Sequence, residues 1–369
     1  MDELSQYLRP AGGGIHTVST GRAAREALQR ALYDARDEAE VQAKWGAALA
    51  GIERARVAVL GIPSDCGAGL VRGAAFGPEA VRAAVLRLAP GFPQRAAAAG
   101  IVDVGDLFVV PQLLTDEMLS EDQRRRTRVA LYGPAAAGNS DLPVAPLSVA
   151  ERVVDRLLRA RPGLRIFMLG GDHSVAWPVV AALGRHTTAP WAIVHIDAHT
   201  DLLPERLGVR ICFATWAYHA NELLGRGGRL VQIGVRASSR PKQHWESTLG
   251  VRQIWADEVQ ARGEAMIDDV VRHLQGLGVA GVYLSNDIDG TDGVEAPSTG
   301  APEPGGLTPA FVRALIERVG AAFPLLGADV VEVAPPIGSA EDARRTADLG
   351  ASYMLASLAA LTGARDLVG

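Results

Sequence analysis

Cysteine is almost absent from this chain. Only Cys66 and Cys212 occur in 369 residues, so no disulfide framework holds the fold, and a reduced, cytoplasmic protein is expected. Charge of one sign is also scarce. The formal net charge is −5, which gives no reason to expect a nucleic-acid partner. No uninterrupted apolar run approaches the ~18 residues of a membrane span. The acidic start, MDELSQYLRP, has no apolar segment of the signal-peptide kind. Internal repeats are lacking, and no clear linker divides the chain after residue 55. What is present is ordinary in bulk: 48% apolar and 21% charged residues, enough for a soluble protein with a sizeable core.

Residues 20–55 are rich in Ala, Arg and Glu, with Leu28, Ala31, Leu32 and Ala35 at helical spacing. They predict one or two helices, an N-terminal helical extension over 1–55 that packs on the core or on a neighbouring subunit. ARVAVLGIP (55–63) reads as a buried strand and GPEAVRAAVLRL (77–88) as a helix with Pro78 in its first turn. GIVDVGDLFVV (100–110) is strand-like. Residues 119–148 predict a helix and a long surface loop. SVAERVVDRLLRA (148–160) is amphipathic, with Ser148 placed to cap it. Six more apolar runs follow: LRIFMLG (164–170), WAIVHID (191–197), RLVQIGV (229–235), VRQIW (251–255), GVYLSNDID (281–289) and GADVVEV (327–333). Helical segments separate most of them. Continuous apolar runs of this length suit strands buried on both faces of a mainly parallel sheet. The expectation is one α/β domain over 56–369.

Three of these runs end in charged or imidazole groups: Asp172 and His173; Asp197, His199 and Asp201; Asp287 and Asp289. Ligands of open parallel sheets bind at the carboxyl ends of the strands. Within a strand, residues i and i+2 share a side, so Asp197 and His199 face one point, as do Asp287 and Asp289. Singly, a strand-end aspartate is a turn or cap residue, and a lone histidine is core. Together these carboxylates would repel and raise one another's pKa unless a cation intervened. A mixed oxygen and imidazole set suits Mn²⁺ best, with Fe, Co, Ni or Zn possible. The set is too large for one catalytic ion and matches a bridged pair. His195, deeper in its strand, reads as packing or as support for Asp197.

These segments resemble the ureohydrolase family, that is, arginase, agmatinase and their relatives. GGDHS, DAHTD and SNDIDGTDGVEAPSTGAPEPGGL match its three signature blocks in order. GIPSDCGAGLVRGAAFGPEAVR (61–82) and DVVEVAP (329–335) are similar to its first and last segments. The resemblance covers about residues 57–360. It implies a three-layer α/β/α domain with a mainly parallel central sheet, two Mn²⁺ ions, and a trimeric or hexameric homo-oligomer. One ion would be held by His173, Asp197, Asp201 and Asp287, the other by His199, Asp197, Asp287 and Asp289. A hydroxide shared by the ions would attack a guanidinium or amidine carbon. Asp289 would relay a proton to the leaving amine, and Glu332 would pair with the guanidinium.

Two departures stand out. Cys212 stands nearest to where arginase and agmatinase carry a histidine; it is read as packing or as a proton carrier, and His219 as a possible substitute. Ala301 replaces a hydroxyl residue that usually supports Glu332. The loop LLPERLGVRICFATW (202–216) is more apolar than in arginase, with Phe213 and Trp216 at the expected pocket mouth and Arg206 and Arg210 as carboxylate-pairing candidates. The expected activity is hydrolysis of a small guanidino or amidino compound other than L-arginine, with urea as product. Formimidoyl hydrolysis and a non-catalytic, metal-binding role are the alternatives.

Overall fold

The computed structural model describes residues 2–15, 20–69 and 71–368; residues 16–19 of the extension and Leu70 of the upstream motif lie outside it. Nine strands among the described residues form one sheet: β1 (Leu8–Arg9), β2 (Val57–Ile62), β3 (Ile101–Leu107), β4 (Arg165–Gly170), β5 (Trp191–Ile196), β6 (Leu230–Val235), β7 (Arg252–Trp255), β8 (Gly281–Asn286) and β9 (Leu325–Val330). Their spatial order is β1-β3-β2-β4-β9-β8-β5-β6-β7. Only β1 runs antiparallel to its neighbour. All positions of β2, β5, β6 and β8 are buried, which is why these segments read as continuous apolar runs and not as alternating ones.

Alternate side chains of each strand enter two separate cores. Val57, Val59, Val194 and Ile196 face one, closed by the helices Pro309–Ala322 and Ala340–Thr362 through Leu315 and Leu358. Ala58, Leu60 and Ile193 face the other, closed by Pro146–Ala160, Ala176–His186 and Trp216–Leu224 through Val153, Val180 and Ala220. The result is a helix–sheet–helix sandwich of three layers.

The N-terminal segment packs on its own chain. β1 adds to the free edge of β3, and the Trp45 indole, on the helix Glu38–Ala50, donates to the Val104 carbonyl at 2.9 Å. Covering an edge strand in this way removes a template for aggregation. One sequence expectation is corrected locally. Ser148 does not cap its helix, which begins at Pro146. The Asp116 carboxylate instead accepts from the Val144 and Ala145 N–H groups, and Ser148 Oγ accepts from the Asp116 N–H.

The order of the sheet positions the site. β8 and β9, last in the chain, insert between β4 and β5. The carboxyl ends of four adjacent strands therefore open onto one crevice.

Candidate metal centre

Each strand end is shaped by a local device. After β4 the chain turns so tightly at Gly171 that a Cβ would lie 1.9 Å from the Ser64 carbonyl oxygen. Asp172 then accepts from Ser174 N–H at 2.8 Å and from Gly67 N–H at 2.9 Å, which fixes the turn that presents His173. After β5, Asp197 Oδ1 accepts from His199 N–H at 2.6 Å. After β8, Asp287 Oδ1 accepts from Asp289 N–H, and Asp289 Oδ1 from Ala198 N–H. After β9, Glu332 Oε1 accepts from His173 N–H at 2.9 Å. Asp201 and Glu332 have φ of 52° and 62°. Side-chain-bearing residues avoid this left-handed region, and such strain concentrates at functional sites.

The six candidate ligands converge. His173 Nδ1 lies 3.0 Å from Asp287 Oδ2, 3.2 Å from Asp197 Oδ2 and 3.5 Å from Asp201 Oδ2. His199 Nδ1 lies 3.1 Å from Asp289 Oδ2 and 3.4 Å from Asp197 Oδ1. Asp197 thus stands between two groups, one around each imidazole. His195, Asp197, Asp201 and His173 offer ligand atoms within 4.8 Å of one another, as do Asp197, His199 and Asp289. His195 Nε2 is 2.7 Å from Asp197 Oδ2.

Electrostatics favour cations here. Burial, then the neighbouring Asp289 and Asp197, pushes the Asp287 carboxyl well above its ordinary range. Burial and Asp197 do the same to Asp201 and also raise Asp289. Burial opposes a charge on His199, but its bonds to Asp197 and Asp289 outweigh it and push the imidazole up to about 12. His173 is raised in the same way by Asp197 and Asp287. Cations placed among these carboxylates would offset the mutual repulsion and burial that oppose their ionisation. Arg236 does not neutralise the carboxylates by hydrogen bonding; its guanidinium donates to the backbone carbonyls of Asp289, Thr291 and Glu303. Oxygen donors with two imidazoles fit two divalent cations.

The structure places the remaining candidates unevenly. Phe213, Arg206 and Cys212 wall a cavity of about 460 Å³ together with Cys66, Leu114 and Val209. Arg206 lies over the Phe213 ring at 4.9 Å. Arg210 is paired with Glu117 at 3.1 Å. Burial keeps the Cys212 thiol protonated, and no hydrogen bond joins it to the metal-type cluster. His219 Nε2 bonds to the Pro204 and Arg210 carbonyls, so the imidazole ties the loop shut and does not enter the cluster. Trp216 is not at the pocket mouth. A turn closed by Cys212 and Thr215 starts a helix there, and the indole is driven beneath the cluster, fully buried. It stacks on His173 with ring centroids 4.5 Å apart and donates to Asp201 Oδ2 at 3.0 Å.

Two supports escaped the sequence reading. Ser285 Oγ meets His173 Nε2 at 3.0 Å and donates to the buried Asp329 carboxylate at 3.0 Å. This carboxylate–hydroxyl–imidazole chain directs His173 Nδ1 at the cluster, as the outer partners of metal-ligating histidines do. Polar residues inside otherwise apolar strands were the available signal.

Fold and site together define a three-layer α/β protein with a His/Asp cluster, able to hold metal ions, at its strand ends. The sequence model of the arginase family matches residues 55–359, and the chain belongs to that family, acting as a hydrolase of C–N bonds in linear amidines. It is 30% identical to a guanidinobutyrase of Pseudomonas aeruginosa over 83% of this chain and 86% of that one. It is 32% identical to a mitochondrial agmatinase of Gallus gallus, over 84% and 82%. Agmatine ureohydrolase of Thermoplasma volcanium superimposes with a TM-score of 0.64 at 27% identity, covering 85% of this chain and 92% of that one. Among the described residues, no helix is long and apolar enough to cross a membrane.

Proposed function

We propose that this protein is a manganese-dependent ureohydrolase that cleaves a small guanidino compound to urea and an amine. The carrying observation is the convergence of His173, Asp197, His199, Asp201, Asp287 and Asp289 beside the strained, buried Glu332. The names of the similar guanidinobutyrase and agmatinase support the substrate class. His173, Asp197, Asp201 and Asp287 would hold one ion, and His199, Asp197, Asp287 and Asp289 the other. When bound, such ions lower the pKa of water and supply a nucleophile at neutral pH.

The chain's own residues do the rest. Glu332 uses Oε1 to accept from His173 N–H, which leaves Oε2 for the N–H groups of a guanidinium. Burial, then Asp172, raises the Glu332 carboxyl well above its ordinary range, so an incoming cation stabilises its ionised form. Ala301 offers no hydroxyl, and the nearby Thr299 hydroxyl is buried with no hydrogen-bond partner among the described residues. Water oxygen bonds to the guanidinium carbon, and the bond from carbon to the substituted nitrogen breaks. Asp289 takes up a proton from the attacking water and relays it to that leaving nitrogen. We assign the remainder of the substrate to the 460 Å³ cavity walled by Phe213 and Arg206, whose lining holds none of the candidate ligands but includes Gly67, bonded to Asp172 beside His173.

The test is a screen of Mn²⁺-loaded protein for urea and amine across ω-guanidino acids, agmatine-type amines and L-arginine. Urea from a guanidino acid or agmatine-type amine supports the reading. Formamide release from formimino compounds, without urea, would replace it.

A further inference from the structure

Below the metal cluster, one polar row crosses an otherwise apolar layer of the sheet. His195 on β5 is in register with Gln232 on β6, and Gln232 with Gln253 on β7. All three are fully buried, while Ile193, Leu230 and Val251, two residues earlier on the same faces, are core. Buried polar side chains are costly unless hydrogen-bonded. These are bonded end to end. Trp255 Nε1 meets Gln253 Oε1 at 2.9 Å, and Gln253 Nε2 meets Gln232 Oε1 at 2.8 Å. Gln232 Nε2 meets His195 Nδ1 at 2.9 Å, and His195 Nε2 meets Asp197 Oδ2 at 2.7 Å.

The direction of every bond is fixed by two groups that have a single role. An indole N–H can only donate, so Gln253 must turn its oxygen to Trp255 and its amide to Gln232. A backbone carbonyl can only accept, and Gln232 Nε2 lies 2.6 Å from the Thr200 carbonyl, so Gln232 must turn its amide inward and its oxygen to Gln253. The two constraints come from opposite ends and agree. The second N–H of Gln232 then meets His195 Nδ1, which must be a bare acceptor. The imidazole proton sits on Nε2, facing Asp197.

We propose that His195 is a positioning residue: a neutral Nε2–H donor, with its tautomer set from the sheet edge by Gln232, Gln253 and Trp255, that orients the Asp197 carboxylate and does not itself bind metal. The inference rests on reading the cluster as a metal centre. Asp197 belongs to both ligand groups, and apart from the candidate-ligand imidazoles of His173 and His199 each of its oxygens accepts one N–H, Oδ1 from the His199 backbone and Oδ2 from His195. A carboxylate has about four lone-pair sites, so one on each oxygen remains for a cation. Proximity alone makes His195 Nε2 resemble a ligand. Ligation would require the proton on Nδ1, donor against donor with the Gln232 amide inside the core. Outer partners of this kind typically change metal affinity by about 10–100-fold when removed.

The tautomer can be read directly. Full-length, metal-free protein carrying ¹⁵N-histidine is examined at mildly alkaline pH by long-range ¹H–¹⁵N correlation, with His195 assigned by its loss in His195→Asn. The Nε2–H tautomer is expected, retained when diamagnetic Zn²⁺ is added and lost in Gln232→Glu, where carboxylates accept at both nitrogens and the ring gains a proton on Nδ1 as well. Mn²⁺ titration by EPR should show His195→Asn still binding two ions per chain, about 10–100-fold more weakly. Trp255→Phe, at the partly buried far end, should weaken binding several-fold without touching a ligand, and it carries the test if Gln232→Glu does not fold. An Nδ1–H tautomer in the wild type, or loss of one ion in His195→Asn, would overturn the proposal. Unchanged affinity in Trp255→Phe would overturn control from the sheet edge. If wild-type protein bound no Mn²⁺ at all, the metal-centre reading would fail, while the tautomer would still decide whether the row works as described.

Discussion

The Trp216 indole N–H donates to Asp201 Oδ2 across 3.0 Å, while its ring lies on the imidazole of His173. One buried side chain therefore steadies two candidate ligands of the same ion. Trp216→Phe keeps an aromatic face and removes the donor. A hydrogen bond to a charged group contributes about 1.5–3 kcal/mol. The expected outcome is Mn²⁺ binding weakened by roughly ten- to a hundredfold, read by EPR titration. Affinity equal to wild type would show that Asp201 does not depend on this contact.

Glu332→Gln keeps the shape of the side chain and removes its charge. The same range, about 1.5–3 kcal/mol, predicts kcat/KM lower by tens- to a hundredfold on the best guanidino substrate, with metal content unchanged. An unaltered kcat/KM would place the head group elsewhere. The pH profile follows from the raised Glu332 carboxyl. Its neutral form dominates below the raised value, so substrate affinity should rise with pH as the group ionises.

Arg206 and Arg210 now separate. Arg210 is committed to Glu117, whereas Arg206 rests on Phe213 with no carboxylate in salt-bridge range among the described residues. Arg206→Ala should lower kcat/KM for ω-guanidino acids by roughly tenfold, the worth of one partly exposed charge-assisted bond, and leave agmatine-type amines unaffected. Urea release across both classes checks it. L-arginine as the best substrate would contradict this view of the cavity, whose walls give an amino-acid end few polar partners.

Removing the ions should reverse the pH dependence of stability. In the ion-free protein, Asp201, Asp287, Asp289 and Glu332 bind protons more tightly than the ordinary carboxyl values of 3.8 and 4.5, and His173 and His199 more tightly than 6.5. Raised groups lend stability below their unfolded values and lose it as pH rises through the folded ones. Asp197, held low against burial by His195 and His173, has the opposite sign but titrates below 3.8. Chelated protein should therefore lose Tm steadily from mildly acidic to alkaline pH. Metal-loaded protein should resist this loss, because ligands must be deprotonated to bind. Parallel Tm curves for the two forms would refute the linkage.

Much of this was legible in the sequence, for identifiable reasons. Strands buried on both faces leave unbroken apolar runs, so β2, β5, β6 and β8 were visible as such. The i, i+2 rule grouped Asp197 with His199 and Asp287 with Asp289, and the structure keeps each pair at the cluster. The two-residue β1 was too short to show a period. Trp216 was misplaced because a loop read as continuous turns into a helix after Thr215, which rotates the indole inward. Ser285, Asp329 and Gln232 stand out locally as polar residues in apolar strands, but which of them meet depends on register between strands distant in sequence.

The most direct test of the account is anomalous diffraction at the manganese edge from Mn²⁺-soaked crystals. Two peaks are predicted, about 3.5–4 Å apart. One should lie against His173 Nδ1 and Asp201, the other against His199 Nδ1 and Asp289, with Asp197 and Asp287 between them and His195 Nε2 outside the coordination sphere. A single peak, or two peaks with His195 Nε2 as a ligand, would contradict it.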